Sequence, residues 1–178
     1  MSTISSSITT GAQSSFSNHP IPSIGAVNDA IQHVLQSNFD ADSKICLFTI
    51  LKMIDNSLSK PNNEQVRNIN FQNSVFQSKV VSKGQGHFIL LAIGFQLDVD
   101  DEKKRKCLVL QPQYENVSLL IETRRRIQTI LVHELQCPPD TLPTPPIVPP
   151  RVTVQTTTHI SGHTTTTTHT GFDIYKGQ

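Results

Sequence analysis

The chain has 178 residues, room for one ordinary domain with flanking segments but not for two catalytic ones. Apolar residues make up 36% of it, aromatic residues 6% and charged residues 16%, so uncharged polar residues and proline dilute the sequence, as in a chain that is part folded and part disordered. Fifteen basic against fourteen acidic side chains leave a formal charge of +1, which gives no global field to draw in nucleic acid or an acidic membrane.

Residues 1–25 read as a flexible arm, because seven of the first eighteen residues are serine and none is charged. The start lacks the basic and apolar run of a secretory signal, and no stretch has the length of a membrane span. Three widely spaced cysteines, Cys46, Cys107 and Cys137, form no CxxC pair, and a reducing compartment, cytosol or nucleus, is expected.

The folded part is expected over residues 26–136. A short amphipathic helix over Ala26 to Asn38 carries Ala30, Ile31, Val34 and Leu35 on one side. A stronger helix follows from Asp42, its expected N-cap, to Ser59, where Leu47, Ile50, Leu51, Ile54 and Leu58 recur every three or four residues. The Lys60-Pro61-Asn62-Asn63 cluster stops it.

Val66 to Phe71 alternates and reads as extended, and Asn73 then looks like the N-cap of a short helix through Lys79. After Gly84-Gln85-Gly86 comes another compact helix, with Phe88, Leu91 and Ala92 on its inner side and Gly94 as its stop. Phe95 to Val99 and Lys106 to Leu110 read as two strands joined by a charged turn. A final helix over about residues 115–135 aligns Leu120, Ile127, Leu131 and Leu135, with Arg124, Arg125 and Arg126 on its outer faces. The order implies a small α+β domain of helices around a short antiparallel sheet.

Residues 137–178 are expected to be a disordered tail. Seven residues from Pro138 to Pro150 are proline, a polyproline-like spacer, and ten of residues 153–170 are threonine.

The middle of the chain carries a recognisable succession of motifs: Ile54-Asp55-Asn56-Ser57-Leu58, Lys60-Pro61-Asn62-Asn63-Glu64, Arg67-Asn68-Ile69, Asn73-Ser74-Val75-Phe76, Lys83-Gly84, and Leu91-Ala92-Ile93-Gly94-Phe95 before a hairpin. From Phe39 to Leu135 the sequence resembles the PUB domain, found in peptide:N-glycanase, in UBX-type adaptors and in a linear-ubiquitin ligase. The resemblance implies binding and not catalysis, with no cofactor. It implies a pocket between the extended segment and the next helix that holds acidic motifs with a Leu-Tyr-like pair, chiefly the C-terminal tail of the AAA ATPase valosin-containing protein. The chain would be a non-catalytic adaptor in ubiquitin-linked quality control, including degradation from the endoplasmic reticulum. The alternatives are a docking portion or truncated relative of a peptide:N-glycanase-like enzyme, or a degenerate PUB scaffold bound to its own tail.

The resemblance places Asn73, Arg67, Val66, Asn70, Ile69 and Lys83 in the peptide site. No acidic residue lies between Gln65 and Gly94, while Arg67, Lys79 and Lys83 are basic, so an acidic peptide should be favoured. Asn73 has two readings, a grip on the peptide backbone or simply the N-cap. Arg67 is read as a partner for a peptide carboxylate or as a structural ion pair, and Ile69 and Phe76 as core more than contact. Val66 stands where the family often has tyrosine and Asn70 where it often has arginine, which puts ligand choice in question.

Near the end of the chain, Asp173-Ile174-Tyr175 looks like the motif such pockets bind. It is either a tethered competitor, allowing self-association through the tail, or a chance match. His159, His163 and His169 are too loosely spaced for a metal site, and Cys46 and Cys107 read as small buried hydrophobes. Arg124 to Arg126 share their helix with Glu122 and Glu134 and lack stacking aromatics, so no nucleic-acid role is expected.

Overall fold

Ser23 opens the first helix by accepting a hydrogen bond on Oγ from the Ala26 amide, and α1 (Ile24–Ser37) buries Val27, Ile31 and Val34, one turn apart on a single stripe. The computed structural model describes residues 21–100, 105–149, 153–160 and 163–170. Helix α2 (Asp40–Ser59) is the centre of the domain, with Cys46, Leu47, Ile50, Leu51, Ile54 and Leu58 wholly withdrawn from solvent. It begins two residues before the expected cap: Phe39 occupies that position without a side-chain hydrogen bond, and Asp42 sits with Asp40 in the first turn. Both carboxylates there favour the positive end of the helix dipole.

The extended reading of Val66 and Arg67 is corrected. Asn63 accepts from the Gln65 amide and caps a helical turn, α3 (Glu64–Arg67), so that only β1 (Asn68–Asn70) is strand. Asn73 caps α4 (Ser74–Phe76), which runs into a π-type turn over Gln77–Val81. Helix α5 (His87–Ala92) buries Ile89, Leu90, Leu91 and Ala92, whereas Phe88, expected on the inner side, is 40% exposed. The chain then turns at Gly94, whose φ of +108° suits glycine. Strands β2 (Gln96–Asp100) and β3 (Arg105–Val109) form the hairpin, and β3 is the middle strand of an antiparallel sheet ordered β1-β3-β2. Ile69 lies opposite Leu108, as does Leu97 from the other side.

Helix α6 (Val117–Thr129) is capped by Asn116 and continues through a π-type turn over Ile130–Glu134. Leu120, Ile127, Leu131 and Leu135 join the core, as their spacing predicts. Arg124 does not lie on an outer face. It is 4% exposed; its Nε donates to Asp55 Oδ1 at 2.6 Å, and its Nη2 donates to the Pro143 carbonyl at 2.9 Å. The packed part of the chain accordingly runs past residue 136, because Leu142 and Val148 also lie against the core. Farther on, β4 (Thr153–Ile160) and β5 (His163–Thr170) pair antiparallel, with Thr153 opposite Thr170. Composition did not announce this hairpin, although β-branched threonine favours extended backbone.

These helices around a short antiparallel sheet make an α+β domain. Among the described residues no helix is long and apolar enough to cross a membrane.

Two partly buried ionisable groups give measurable consequences. Burial raises the pKa of Asp55, and Arg124 opposes that rise by hydrogen bonding and charge. Arg124→Ala would leave the carboxylate without its partner and is expected to cost about 3 kcal/mol, read from the urea midpoint near neutral pH. His87 stacks on Phe88 with ring centroids 4.6 Å apart and meets Phe71 edge-on at 5.3 Å. Its Nδ1 is buried without a hydrogen-bond partner among the described residues, and burial lowers its pKa. The fold therefore prefers the neutral ring. Its contribution is complete above the unfolded pKa of about 6.5 and is lost as pH falls through it toward the folded value. Urea midpoints measured from about pH 7.5 to about pH 5 should fall, and His87→Phe should flatten part of that fall.

Candidate functional site

The C-terminal half of α2, the α3 turn, β1 and the start of α4 enclose a groove of about 300 Å³. Helix α2 supplies Thr49, Met53 and Asn56, which succeed one another along a single face beside the fully buried stripe. Val66 comes from α3, Ile69 and Asn70 from β1, and Asn73, Val75 and Phe76 from the capped turn. Two asparagines shape this wall. Asn70 Oδ1 accepts from the Gln72 amide at 3.0 Å while its carbonyl accepts from the Asn73 amide at 3.1 Å, closing a tight turn. Asn73 Oδ1 then accepts from the Val75 and Phe76 amides at 2.9 and 3.1 Å.

The two readings of Asn73 are thus compatible. The cap commits its oxygen and fixes the plane of the amide, which leaves the Nδ2 hydrogens as the groups a ligand carbonyl can meet. Val75 is 54% exposed, an unusual state for a valine one position from a buried phenylalanine, and it supplies apolar surface to the groove. Phe76 is buried behind it and meets Phe71 edge-on at 5.9 Å, so the groove wall is backed by the aromatic group that includes His87.

Of the six residues assigned by resemblance, Val66, Ile69, Asn70 and Asn73 converge on the groove. Arg67 and Lys83 do not line it. Arg67 is 5% exposed; its Nε donates to the Leu110 carbonyl at 2.9 Å, and its Nη1 donates to the Pro61 carbonyl at 3.1 Å and to Glu115 Oε2 at 3.0 Å. It borders a second cleft of about 510 Å³ with Pro61, Glu64, Leu110 and Pro112. Lys83 pairs with Asp42 at 2.6 Å, at the opening turn of α2. That turn lies roughly 10 Å along the helix axis from Thr49. Lys79 is exposed and is not among the groove residues.

Among the described residues no charged side chain lines the groove. An acidic ligand would not find there the cations that the sequence between Gln65 and Gly94 suggested. Thr49, Met53, Asn56, Gln65 and Val75 also line the groove, and nothing in the sequence assigns them to the peptide site. The available signal was the row of α2 positions lying just off the apolar stripe.

The thiol of Cys46 lies in the core near the Val80 carbonyl, and burial pushes its pKa up to about 12, opposed by the charge of Lys83. A thiol so poorly ionised is no nucleophile. Among the described residues no group of three or more His, Cys, Asp or Glu is arranged to hold a metal ion. Asp173, Ile174 and Tyr175 lie outside the described residues.

A search of curated proteins found no match to this chain. The scan against family models returned the family described as PUB domain over residues 40–122, which run from the first residue of α2 into α6 and include every residue of the groove. Residues 40–122 thus match the PUB domain, and that match points to a protein-interaction module.

Proposed function

We propose that the chain is a non-catalytic adaptor of the cytosol or nucleus. Its groove docks the acidic Leu-Tyr C-terminal tail of the AAA ATPase valosin-containing protein in ubiquitin-linked protein quality control, including degradation from the endoplasmic reticulum. The observation that carries the reading is the groove at Asn73, where a fixed amide donor stands beside the apolar surface of Met53, Val66, Ile69 and Val75 inside the matched segment. An extended peptide offers backbone carbonyls to the amide and a Leu-Tyr pair to the apolar floor. Its acidic residues would stay at the solvated rim, since the groove lining is uncharged. Hydrogen bonding and apolar area, more than charge pairing, would then carry affinity.

The test is a fluorescence-anisotropy titration of a labelled acidic Leu-Tyr peptide against the full chain. Asn73→Asp keeps an oxygen for the cap but removes the amide donors, and it should weaken binding about tenfold while holding stability near that of the parent. Asn70→Arg places a cation at the groove and should strengthen binding about fivefold in a salt-sensitive manner. Failure of the parent and of Asn70→Arg to bind would remove the assignment of this ligand.

A second reading is favoured by the register of the terminal hairpin. Because Thr153 pairs with Thr170, the chain leaves β5 beside the point where it entered β4, so the paired strands add little to the length of a tether. A short tether raises the local concentration of Asp173-Ile174-Tyr175 as an intramolecular competitor for the groove. Truncation before Phe172 should strengthen binding of the external peptide, and unchanged affinity would eliminate the competitor.

A further inference from the structure

Residues 138–149 are not a free spacer; they open on a 3-10 turn, Pro139–Thr141, flanked by Pro138 and Leu142. Pro138 has φ −58° and ψ 130°, and Leu142 has φ −83° and ψ 146°, both near polyproline II values. Each residue that precedes a proline is pushed toward the same region, which applies to Pro138, Leu142, Thr144, Pro145, Val148 and Pro149. The segment is held from below by the Arg124 hydrogen bond to the Pro143 carbonyl and by Leu142 and Val148 against the core. Thr144 and Pro145 are exposed, and Ile147 is 91% exposed.

Polyproline II has three residues per turn, so Pro143, Pro146 and Pro149 fall along one edge. The sequence also sets two dipeptides ending in proline, Pro145-Pro146 and Val148-Pro149, on either side of the protruding Ile147. That spacing matches the way a groove walled by aromatic side chains takes a polyproline ligand, one dipeptide per slot, with little ordering entropy to lose.

We infer that Pro143–Pro149 is a ligand for a polyproline-recognising domain of the SH3 kind, and that the PUB domain stores it in a nearly binding-ready conformation. Val148 must leave its contact with the core to enter a slot, so the intact chain binds less tightly than the same segment as a free peptide. The ligand strap lies apart from the peptide groove: its anchor, Arg124, is on α6, and none of its residues lines the groove. The inference therefore does not depend on what the groove binds.

The probe is a purified SH3 domain selective for Pro-x-x-Pro ligands, titrated by calorimetry with the full chain, with its Pro146→Ala/Pro149→Ala variant and with a synthetic peptide of residues 143–149. The chain is expected to bind saturably and the peptide more tightly. The double variant, altered only on the strap and checked for an unchanged urea midpoint, is expected to bind about tenfold more weakly or not at all. Absence of binding by the chain, or binding indifferent to the double substitution, overturns the inference.

Discussion

A guanidinium withdrawn from water needs partners, and Arg67 finds them in three places remote from one another in sequence: Pro61 after α2, Leu110 after β3 and Glu115 before α6. Such a pair adds little net stability once its desolvation is counted, but losing one member is costly. Its effect here is geometric. With Arg67 tied to the end of β3, β1 has one register, Ile69 opposite Leu108, and the next residues have no choice but to turn back toward α2. The Asn70–Asn73 turn, the capped α4 and the groove wall are all placed by that anchoring.

A groove built this way selects by shape and by one oriented amide. Its polar groups are Thr49, Asn56, Gln65, Asn70 and Asn73, all uncharged, and Thr49 already donates to the Ile45 carbonyl. Two of the three basic residues that make this part of the sequence look electropositive are engaged in the architecture, Arg67 with Glu115 and Lys83 with Asp42. Charge along a sequence and charge at a site diverge whenever the partner of a cation is supplied by a distant element.

The same cause explains what could and could not be read in advance. The stripe of α2, the Asn73 cap, the Gly94 stop and the hairpin all depend on neighbours within a few positions, and each was legible. Arg124 reads as outward-facing because its partner, Asp55, is on another helix, and no local pattern announces such a pair. The α3 turn is hidden for a different reason: over six residues the alternation from Val66 to Phe71 imitates a strand, and Asn63, the cap, sits inside a cluster that reads as a stop. Proline composition likewise reads as spacer and does not say that Leu142 and Val148 find an apolar surface. In the site, Val66, Ile69, Asn70 and Asn73 came from resemblance to a family, whereas the α2 face could be recognised only once the helix had neighbours.

The matched segment, 40–122, ends one turn into the buried face of α6 and begins after α1. Yet Val27, Ile31 and Val34 on one side, and Ile127, Ile130 and Leu131 on the other, belong to the same core as Leu47 and Ile50. Excising the family segment alone would uncover apolar faces on both α2 and α5 and leave Asp55 without Arg124. The boundary of kinship in this protein is thus narrower than the boundary of cooperativity, and the packed unit extends from Ser23 through the proline strap.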